Sequence, residues 1–154
     1  MDEKKQMREI LFRGQTRRLG ELVRMNGEKV PSKWVYGGIC QGEGAFSIIY
    51  GWKDEEREAP IDKFVVYSNT VGQYTGLTDK NGKKIFEGDI CKNTKTFEVV
   101  SVKWHGTMAG YVWSKRKENH QHLFDFGELF RAYDKYEVIG NIHDNPELLK
   151  GGAE

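Results

Sequence analysis

Glycine is the feature of this sequence that most limits the folds open to it. The 154 residues contain 18 glycines against 3 prolines, and 12% of the residues are aromatic. Near the start, Gly14, Gly20 and Gly27 interrupt apolar side chains that otherwise approach helical spacing. Many glycines together with many aromatic residues are typical of short strands joined by turns. We therefore predict a mainly β protein with one or two short helices.

Length and composition describe a globular protein of one domain, or of two very small ones. Charged residues make up 31% and hydrophobic residues 38% of the chain, as is usual for proteins that fold in water. The two cysteines, Cys40 and Cys91, are too few for a disulfide scaffold, which favours a reducing cytoplasm. No apolar stretch reaches the roughly 20 residues that span a membrane, and the charged start has no apolar core of a secretory signal behind it. We expect a cytoplasmic protein without a membrane partner.

The net charge of +1 conceals four blocks of alternating sign. Residues 1–24 carry seven basic and four acidic side chains, and residues 25–79 carry five and eight. Residues 80–117 carry nine and three, and residues 118–154 carry three and eight. The blocks either form a mixed, solvated surface or match one another, within one chain or between subunits. A uniformly basic nucleic-acid binder is excluded, whereas a protein with a basic face is not.

Short strands bounded by turns are predicted along the chain. The clearest one runs from Phe97 to Trp104. One of its faces is predicted to carry Val100, Val102 and Trp104, and the other Val99, Ser101 and Lys103. The Asn81-Gly82 pair predicts a hairpin with positive φ at both turn residues. Residues 114–122 are polar and are predicted to form a loop. The other predicted strands include residues 10–12, 33–37, 46–50, 61–67, 73–77, 83–86, 88–90, 110–113 and 136–142.

The order of hairpin, long strand, partner strand and closing strand resembles a small SH3-like β-barrel, preceded here by an N-terminal β-rich extension. Apolar residues spaced by three and four predict a short helix near residues 123–133, and Pro146 opens a single helical turn. The predicted parts are a disordered extension (1–6), a β-rich part (7–67), the barrel (68–149) and a flexible tail (150–154).

Four motifs cover nearly the whole chain. They are MREILFRG at residues 7–14, KWVYG at 33–37, VGQYTGLTDKNGKKIFEGDI at 71–90 and YEVIGNIHDNPEL at 136–148. Together they resemble the YopX family of phage and prophage proteins, and the third motif is long enough to be specific. The resemblance implies phage or prophage origin, action in the bacterial cytoplasm, an SH3-like barrel and self-assembly. The resemblance implies no catalytic residues. It marks residues 1–6 as an extension, and no family motif covers residues 114–135.

Each candidate site for chemistry has a simpler structural explanation. The two cysteines, Cys40 and Cys91, lie far apart, and among the four histidines only His120 and His122 are close, whereas zinc sites usually show a close cysteine pair or histidines at helical spacing. The alternative to a zinc site is two buried thiols and surface imidazoles. The histidines are His105, His120, His122 and His143. Asp89, Glu87 and Asp144 are candidates for an acid–base cluster. The alternative is that Asp89 and Asp144 cap nearby backbone N–H groups. There is no nucleophile elbow and no phosphate-binding loop, so we expect a non-enzymatic protein without cofactor or metal.

Basic and aromatic residues alternate in the block 80–117. Its candidate nucleic-acid contacts are Lys92, Lys95, Lys103, Lys115, Arg116 and Lys117. Trp104, Tyr111 and Trp113 lie among them, and rings with nearby cations bind nucleic acid by stacking and phosphate contacts. The alternative is that the rings fill the core and the lysines are solvated. Nucleic-acid binding by this block is therefore the second functional hypothesis.

The acidic and aromatic segment 123–136 has more apolar surface than one face of a short helix can hide. Its predicted partner-binding residues are Phe124, Phe126, Phe130 and Tyr133. Exposed apolar surface usually marks a partner site, and the acidic residues beside it match the basic block of another subunit. The alternative is a helix that covers the open end of its own barrel. The main hypothesis is an accessory protein that self-associates, with a host or phage protein as a further class of partner.

Overall fold

A computed structural model describes residues 8–16, 33–41, 44–51, 62–117, 120–123 and 133–150. The chain forms two compact units, residues 1–73 and 74–154. The predicted N-terminal extension, and the predicted tail after Lys150, lie outside the described residues. The described helices are single 3-10 turns at Ser68–Thr70, Tyr133–Lys135 and Pro146–Leu149. In the described part of the chain, no helix has the length and hydropathy to cross a bilayer.

The first unit contains an antiparallel sheet in the order β4-β3-β2-β1. Its strands are β1 (Phe12–Gln15), β2 (Trp34–Cys40), β3 (Phe46–Gly51) and β4 (Asp62–Tyr67). The first residues of β5 (Gly72–Thr78) pair with β1. An isolated bridge from Thr16 to Val66 also links the chain after β1 to β4, but one bridge is not a ladder and the sheet stays open. The sequence predicts β2, β3 and β4 to within a few residues.

The inner face of this sheet carries a small apolar core. Val35, Ile49 and Val66 are buried there, and Phe64 and Val71 pack against them. Successive residues of a strand point to opposite faces, so Phe64 and Val66 of β4, which are two residues apart, both reach this core. The side chains that point away from the core form the outer face of the same sheet.

Gly14 lies against this core with no room for a side chain. A β-carbon there would lie 2.8 Å from Cγ2 of Val66 and 3.1 Å from Cδ1 of Ile49. We expect Gly14→Ala to lower the free energy of unfolding by about 1–3 kcal/mol, the usual cost of overpacking a core. Urea unfolding of this variant beside Gly38→Ala measures the effect, because a β-carbon at Gly38 would meet nothing within 4 Å. An equal loss of stability in both variants would contradict the packing argument.

The second unit contains a five-stranded antiparallel sheet in the order β10-β9-β8-β7-β11. Its strands are β7 (Asp89–Asn93), β8 (Val99–His105), β9 (Gly110–Lys117), β10 (His120–Leu123) and β11 (Tyr136–Asn141). The last strand, β11, returns to pair with the first, β7. The rest of β5 pairs with β6 (Lys84–Phe86), which confirms the predicted hairpin. The predicted long strand, β8, has as its predicted partner strand the segment that forms β9, and the two pair as expected.

One face of the five-stranded sheet carries the larger apolar core. Val100 and Val102 are fully buried on it, as predicted for one face of β8, whereas Trp104, predicted on the same face, is 52% exposed and Ser101 on the other face is buried. Trp113 stacks on Tyr136 with their ring centroids 4.5 Å apart. The other members of this core are Ile85, Cys91 and Tyr111, with Leu77, Tyr133 and Val138 packed against them.

Three predictions made from the sequence for the second part of the chain are wrong or unconfirmed. Within the described residues neither sheet closes on itself, so the mainly β class is confirmed but the SH3-like barrel is not. Residues 114–117 continue β9 and residues 120–123 form β10, so the prediction of a loop over this stretch is wrong. Of the helix predicted near residues 123–133, Leu123 ends a strand instead, and residues 124–132 lie outside the described part.

Candidate functional site

The motif at residues 71–90 is organised around the buried carboxylate of Asp79. Asp79 is 5% exposed, and its Oδ1 accepts hydrogen bonds from the backbone N–H groups of Asn81 and Lys83 at 2.8 and 2.9 Å. Its Oδ2 accepts a third bond, at 3.0 Å, from the backbone N–H of Val138 in β11. Charge-assisted bonds of this kind are strong, so Asp79 holds the hairpin turn and joins it to β11.

The hairpin turn itself differs from the predicted two-residue form. The carbonyl of Asp79 accepts a bond from the N–H of Gly82, and the N–H of Asp79 donates to the carbonyl of Lys83 at 2.8 Å. Gly82 has a φ of +81°, whereas Asn81 is not among the residues with positive φ. The loop therefore has three residues and ends on a left-handed glycine, a common hairpin connection. The prediction of positive φ at both Asn81 and Gly82 is wrong for Asn81.

Asp89 and Asn141 also hold backbone groups. The Oδ2 of Asp89, which is buried, accepts a bond from the N–H of Phe86 at 2.8 Å. The Oδ1 of Asn141 accepts bonds from the N–H groups of His143 and Asp144 at 3.0 and 2.9 Å. Side-chain oxygens that accept local N–H groups stabilise turns. Asp89 therefore caps a backbone N–H group, which is the predicted alternative to an acid–base role.

The candidate metal ligands differ in their surroundings. Cys91 is buried in the core of the second unit, whereas Cys40 is exposed on β2, so the expectation of two buried thiols is wrong for Cys40. Nδ1 of His105 accepts a bond from the N–H of Met108 at 3.2 Å. The two histidines of β10 have side chains outside the described residues. Across the described ranges, no three potential ligands come together as a metal ion would need.

The lysines of the basic block occupy different parts of the sheet. Lys92 lies in β7, Lys95 is exposed in the turn after it, and Lys103 is exposed near the far end of β8. The other three candidate contacts lie in β9, with side chains outside the described residues: Lys115, Arg116 and Lys117. Nζ of Lys80 lies 3.5 Å from Oε2 of Glu137, so the basic and acidic blocks meet at least once within one chain.

The aromatic residues of this block are divided between core and surface. Tyr111 and Trp113 fill the core, as the structural alternative expects, whereas Trp104 is 52% exposed at the end of β8. Trp104 packs edge-on against Tyr111 with ring centroids 5.1 Å apart. The rings predicted to stack on nucleic acid are therefore mostly used by the fold.

A different ring lies beside two of the predicted lysines, in the turn between β7 and β8. We call residues 93–98 the Phe97 turn. Phe97 is 68% exposed and has a φ of +60°, and Nζ of Lys92 lies 5.2 Å from its ring centroid. That distance is within the range of a cation–π interaction. The sequence predicts a strand that starts at Phe97, although the polar run before it indicates a turn.

The outer face of the first sheet carries exposed apolar side chains that the sequence analysis did not single out. Tyr36, Tyr50 and Val65 are exposed there, and Ile48 and Tyr67 are half-buried. We call these five residues the outer tyrosine face. Cross-strand pairing joins Ile48 to Val65 on neighbouring strands. Strict alternation with the buried residues of β3 and β4 was the signal that could have located this face.

The predicted partner-binding segment is largely outside the described residues, which include none of Phe124, Phe126 and Phe130. Tyr133 opens the 3-10 turn Tyr133–Lys135, where it is half-buried and packs against the core of the second unit. Part of its ring therefore already contacts its own chain, and the role of this segment stays a prediction.

Similarity to known proteins agrees with the motifs. The profile of the YopX protein family matches residues 29–150. The chain belongs to the YopX family. No curated protein matches this YopX chain. Protein EF1440 from Enterococcus faecalis, known from a crystal structure, is 29% identical to it, over 57% of this chain and 69% of that one, with a TM-score of 0.38.

Proposed function

We propose that this YopX-family protein is a non-enzymatic accessory protein of phage or prophage origin, which self-associates in the bacterial cytoplasm. The observation that carries the proposal is the outer tyrosine face, because exposed apolar patches usually mark partner surfaces. A non-enzymatic role is supported by Asp79 and Asp89, whose carboxylates are occupied by backbone N–H groups. The return of β11 to pair with β7 supports the SH3-like barrel as the predicted fold of the second unit.

A second copy of the chain is the partner that suits the outer tyrosine face best. Among its described residues this face has no acidic side chain, and Lys63, its exposed cation, lies 5.9 Å from the ring centroid of Tyr50. Two such faces can therefore meet without burying a carboxylate, which would cost several kcal/mol. Tyrosine is also enriched at protein interfaces, because its ring supplies apolar area and its hydroxyl a hydrogen bond.

The acidic and aromatic segment is a second surface proposed for self-association. Its support is the sequence: Phe124, Phe126 and Phe130 stand beside acidic residues, and the block 80–117 is basic. Complementary charge favours correct pairing of subunits more than it adds affinity. Both surfaces are tested by the same measurement.

Light scattering after size-exclusion chromatography, over a range of concentrations, tests self-association. We expect the wild type to be oligomeric. Val65→Glu places a charge on the outer tyrosine face, and we expect it to raise the dissociation constant roughly 30-fold, since a central interface residue contributes about 2 kcal/mol. Phe130→Asp tests the acidic and aromatic segment in the same way.

Ile10→Glu is the matched control, because Ile10 is 67% exposed but precedes β1 and is not part of the outer tyrosine face. This variant should assemble as the wild type does. A wild type that is monomeric at every concentration would refute the proposal. Dissociation by Phe130→Asp but not by Val65→Glu would assign the interface to the segment instead of the sheet face.

A further inference from the structure

Phe97 has a backbone conformation that side chains rarely adopt. Its φ of +60° lies in the left-handed region, where the β-carbon of an L residue crowds the following carbonyl oxygen. For a bulky residue this conformation is an outlier, and such outliers cluster at functional sites. Glycine adopts the same φ at no steric cost. On the backbone alone, glycine is the better residue at position 97.

The fold gains little packing in return for this strain. At 68% exposure, the ring of Phe97 contacts solvent over most of its surface, and it belongs to neither apolar core. A phenylalanine that stabilises a fold does so by burying its ring. Neither burial nor backbone conformation therefore explains an aromatic side chain at this position.

Hydrogen bonds fix the backbone of the Phe97 turn, so the position from which the ring projects is set by the fold. Asn93 is buried, and its Oδ1 accepts bonds from the N–H groups of Lys95 and Thr96 at 2.9 and 3.1 Å. The N–H of Phe97 donates to the carbonyl of Asn93 at 2.9 Å. The N–H and the hydroxyl of Thr94 both donate to the carbonyl of Lys135, which ties the turn to the start of β11. A ring presented on such a turn is pre-organised for a ligand.

One cation lies beside this ring, and a second is exposed in the same turn. Nζ of Lys92 lies 5.2 Å from the ring centroid, and Lys95 is exposed in the same turn. The acidic neighbours are Glu98, which follows the ring in sequence, and Glu137, which pairs with Lys92 across β7 and β11. Glu137 already contacts Nζ of Lys80 at 3.5 Å. An anion that also has a flat ring would find a stacking surface and two lysines at one place.

We propose that the Phe97 turn binds single-stranded nucleic acid: one base stacks on the ring of Phe97, and Lys92 and Lys95 contact the flanking phosphates. This site goes beyond self-association and uses a different surface. Stacking on an aromatic ring tolerates any base, and lysine contacts follow the backbone, so the expected binding has little sequence preference. A duplex hides its bases from such a ring.

The variant Phe97→Gly is expected to lower the affinity for nucleic acid without lowering the stability of the fold. Fluorescence anisotropy with fluorescein-labelled oligothymidylate, oligouridylate and a mixed-sequence duplex measures affinity at several salt concentrations. We expect Phe97→Gly to weaken single-strand binding roughly 5- to 150-fold, the range that one base–ring stack provides. We expect it to melt at or above the wild-type temperature, because glycine relieves the left-handed strain. Phe97→Tyr keeps the ring and should bind as the wild type does.

Lysine variants test the phosphate contacts. Lys92→Gln and Lys95→Gln should each lower the slope of log affinity against log salt by about 0.7, the value for one phosphate contact to a single strand. Lys83→Gln is the matched control, because Lys83 is exposed in the other hairpin turn, and it should leave the slope unchanged. Absence of binding at low salt would overturn the proposal. So would equal affinity of Phe97→Gly and Phe97→Tyr, or a preference for the duplex.

Discussion

Asp79→Ala is expected to lower the free energy of unfolding by about 3–5 kcal/mol, because hydrogen bonds to a charged group contribute about 1.5–3 kcal/mol each and are not fully additive. Asp79 accepts three backbone bonds and is buried. Its removal leaves the N–H groups of Asn81, Lys83 and Val138 without this acceptor. Urea unfolding followed by circular dichroism measures the loss.

Two further variants make this result interpretable. Asp134→Ala is the same substitution at an exposed position of the second unit, and we expect a change within about 0.5 kcal/mol. Asp79→Asn keeps one oxygen but places an amide N–H₂ where a second acceptor is needed, so its stability should lie between wild type and Asp79→Ala. A loss at Asp79→Ala no larger than at Asp134→Ala would contradict the role assigned to this carboxylate.

Trp113→Ala is expected to cost about 3–5 kcal/mol, the usual range for removing a buried aromatic side chain. Trp113 is buried, and its stacking partner Tyr136 belongs to the same core. Removal of the indole leaves a cavity under β9 and also removes the stacking contact. Thermal and urea unfolding of the variant measure the cost.

Trp104→Ala is the matched control, because Trp104 lies on the neighbouring strand but is 52% exposed. We expect its loss to be less than half that of Trp113→Ala. Trp113→Phe adds a second test: Nε1 of Trp113 is buried and has no hydrogen-bond acceptor within the described part of the chain. Phenylalanine removes this unsatisfied donor, so it should cost much less than alanine. Similar losses at both tryptophans would contradict the core assignment.

Much of the strand pattern could be predicted from the sequence. The alternation of Val100 and Val102 with Ser101 and Lys103 predicts β8, because apolar side chains on every second residue suit one buried face. The Asn81-Gly82 pair predicts a hairpin, since glycine adopts the left-handed conformation that the loop needs. Such patterns are local, and a sequence displays them directly.

Pairing between distant residues could not be predicted. Residues 114–122 look like a loop because they are polar, yet Ser114 pairs with Ser101 in β8 and residues 115–117 pair with β10. A strand with few apolar residues is stabilised by the ladder bonds of its neighbours, so its own composition says little. The third hydrogen bond to Asp79 comes from Val138, which lies 59 residues away in sequence.

The candidate sites also divide into features that a local sequence pattern predicts and features that depend on contacts between distant residues. The sequence predicts Lys92 and Lys95 as nucleic-acid contacts, but two of the rings predicted beside them, Tyr111 and Trp113, lie in the core. The polar run before Phe97 indicates no more than a turn, and only the backbone φ and the exposure of Phe97 mark it as a candidate site. The outer tyrosine face is likewise formed by residues of three strands that are separate in sequence.

By itself, the sequence determined that this YopX-family chain is mainly β, where most strands run and which turns need glycine, because these properties depend on side chains a few residues apart. The tertiary structure decided which polar residues hold the fold and which rings remain on the surface. Both depend on contacts between distant segments: a carboxylate becomes structural only when backbone donors surround it. A phenylalanine becomes a candidate site only when the fold holds it in a strained turn and leaves it exposed.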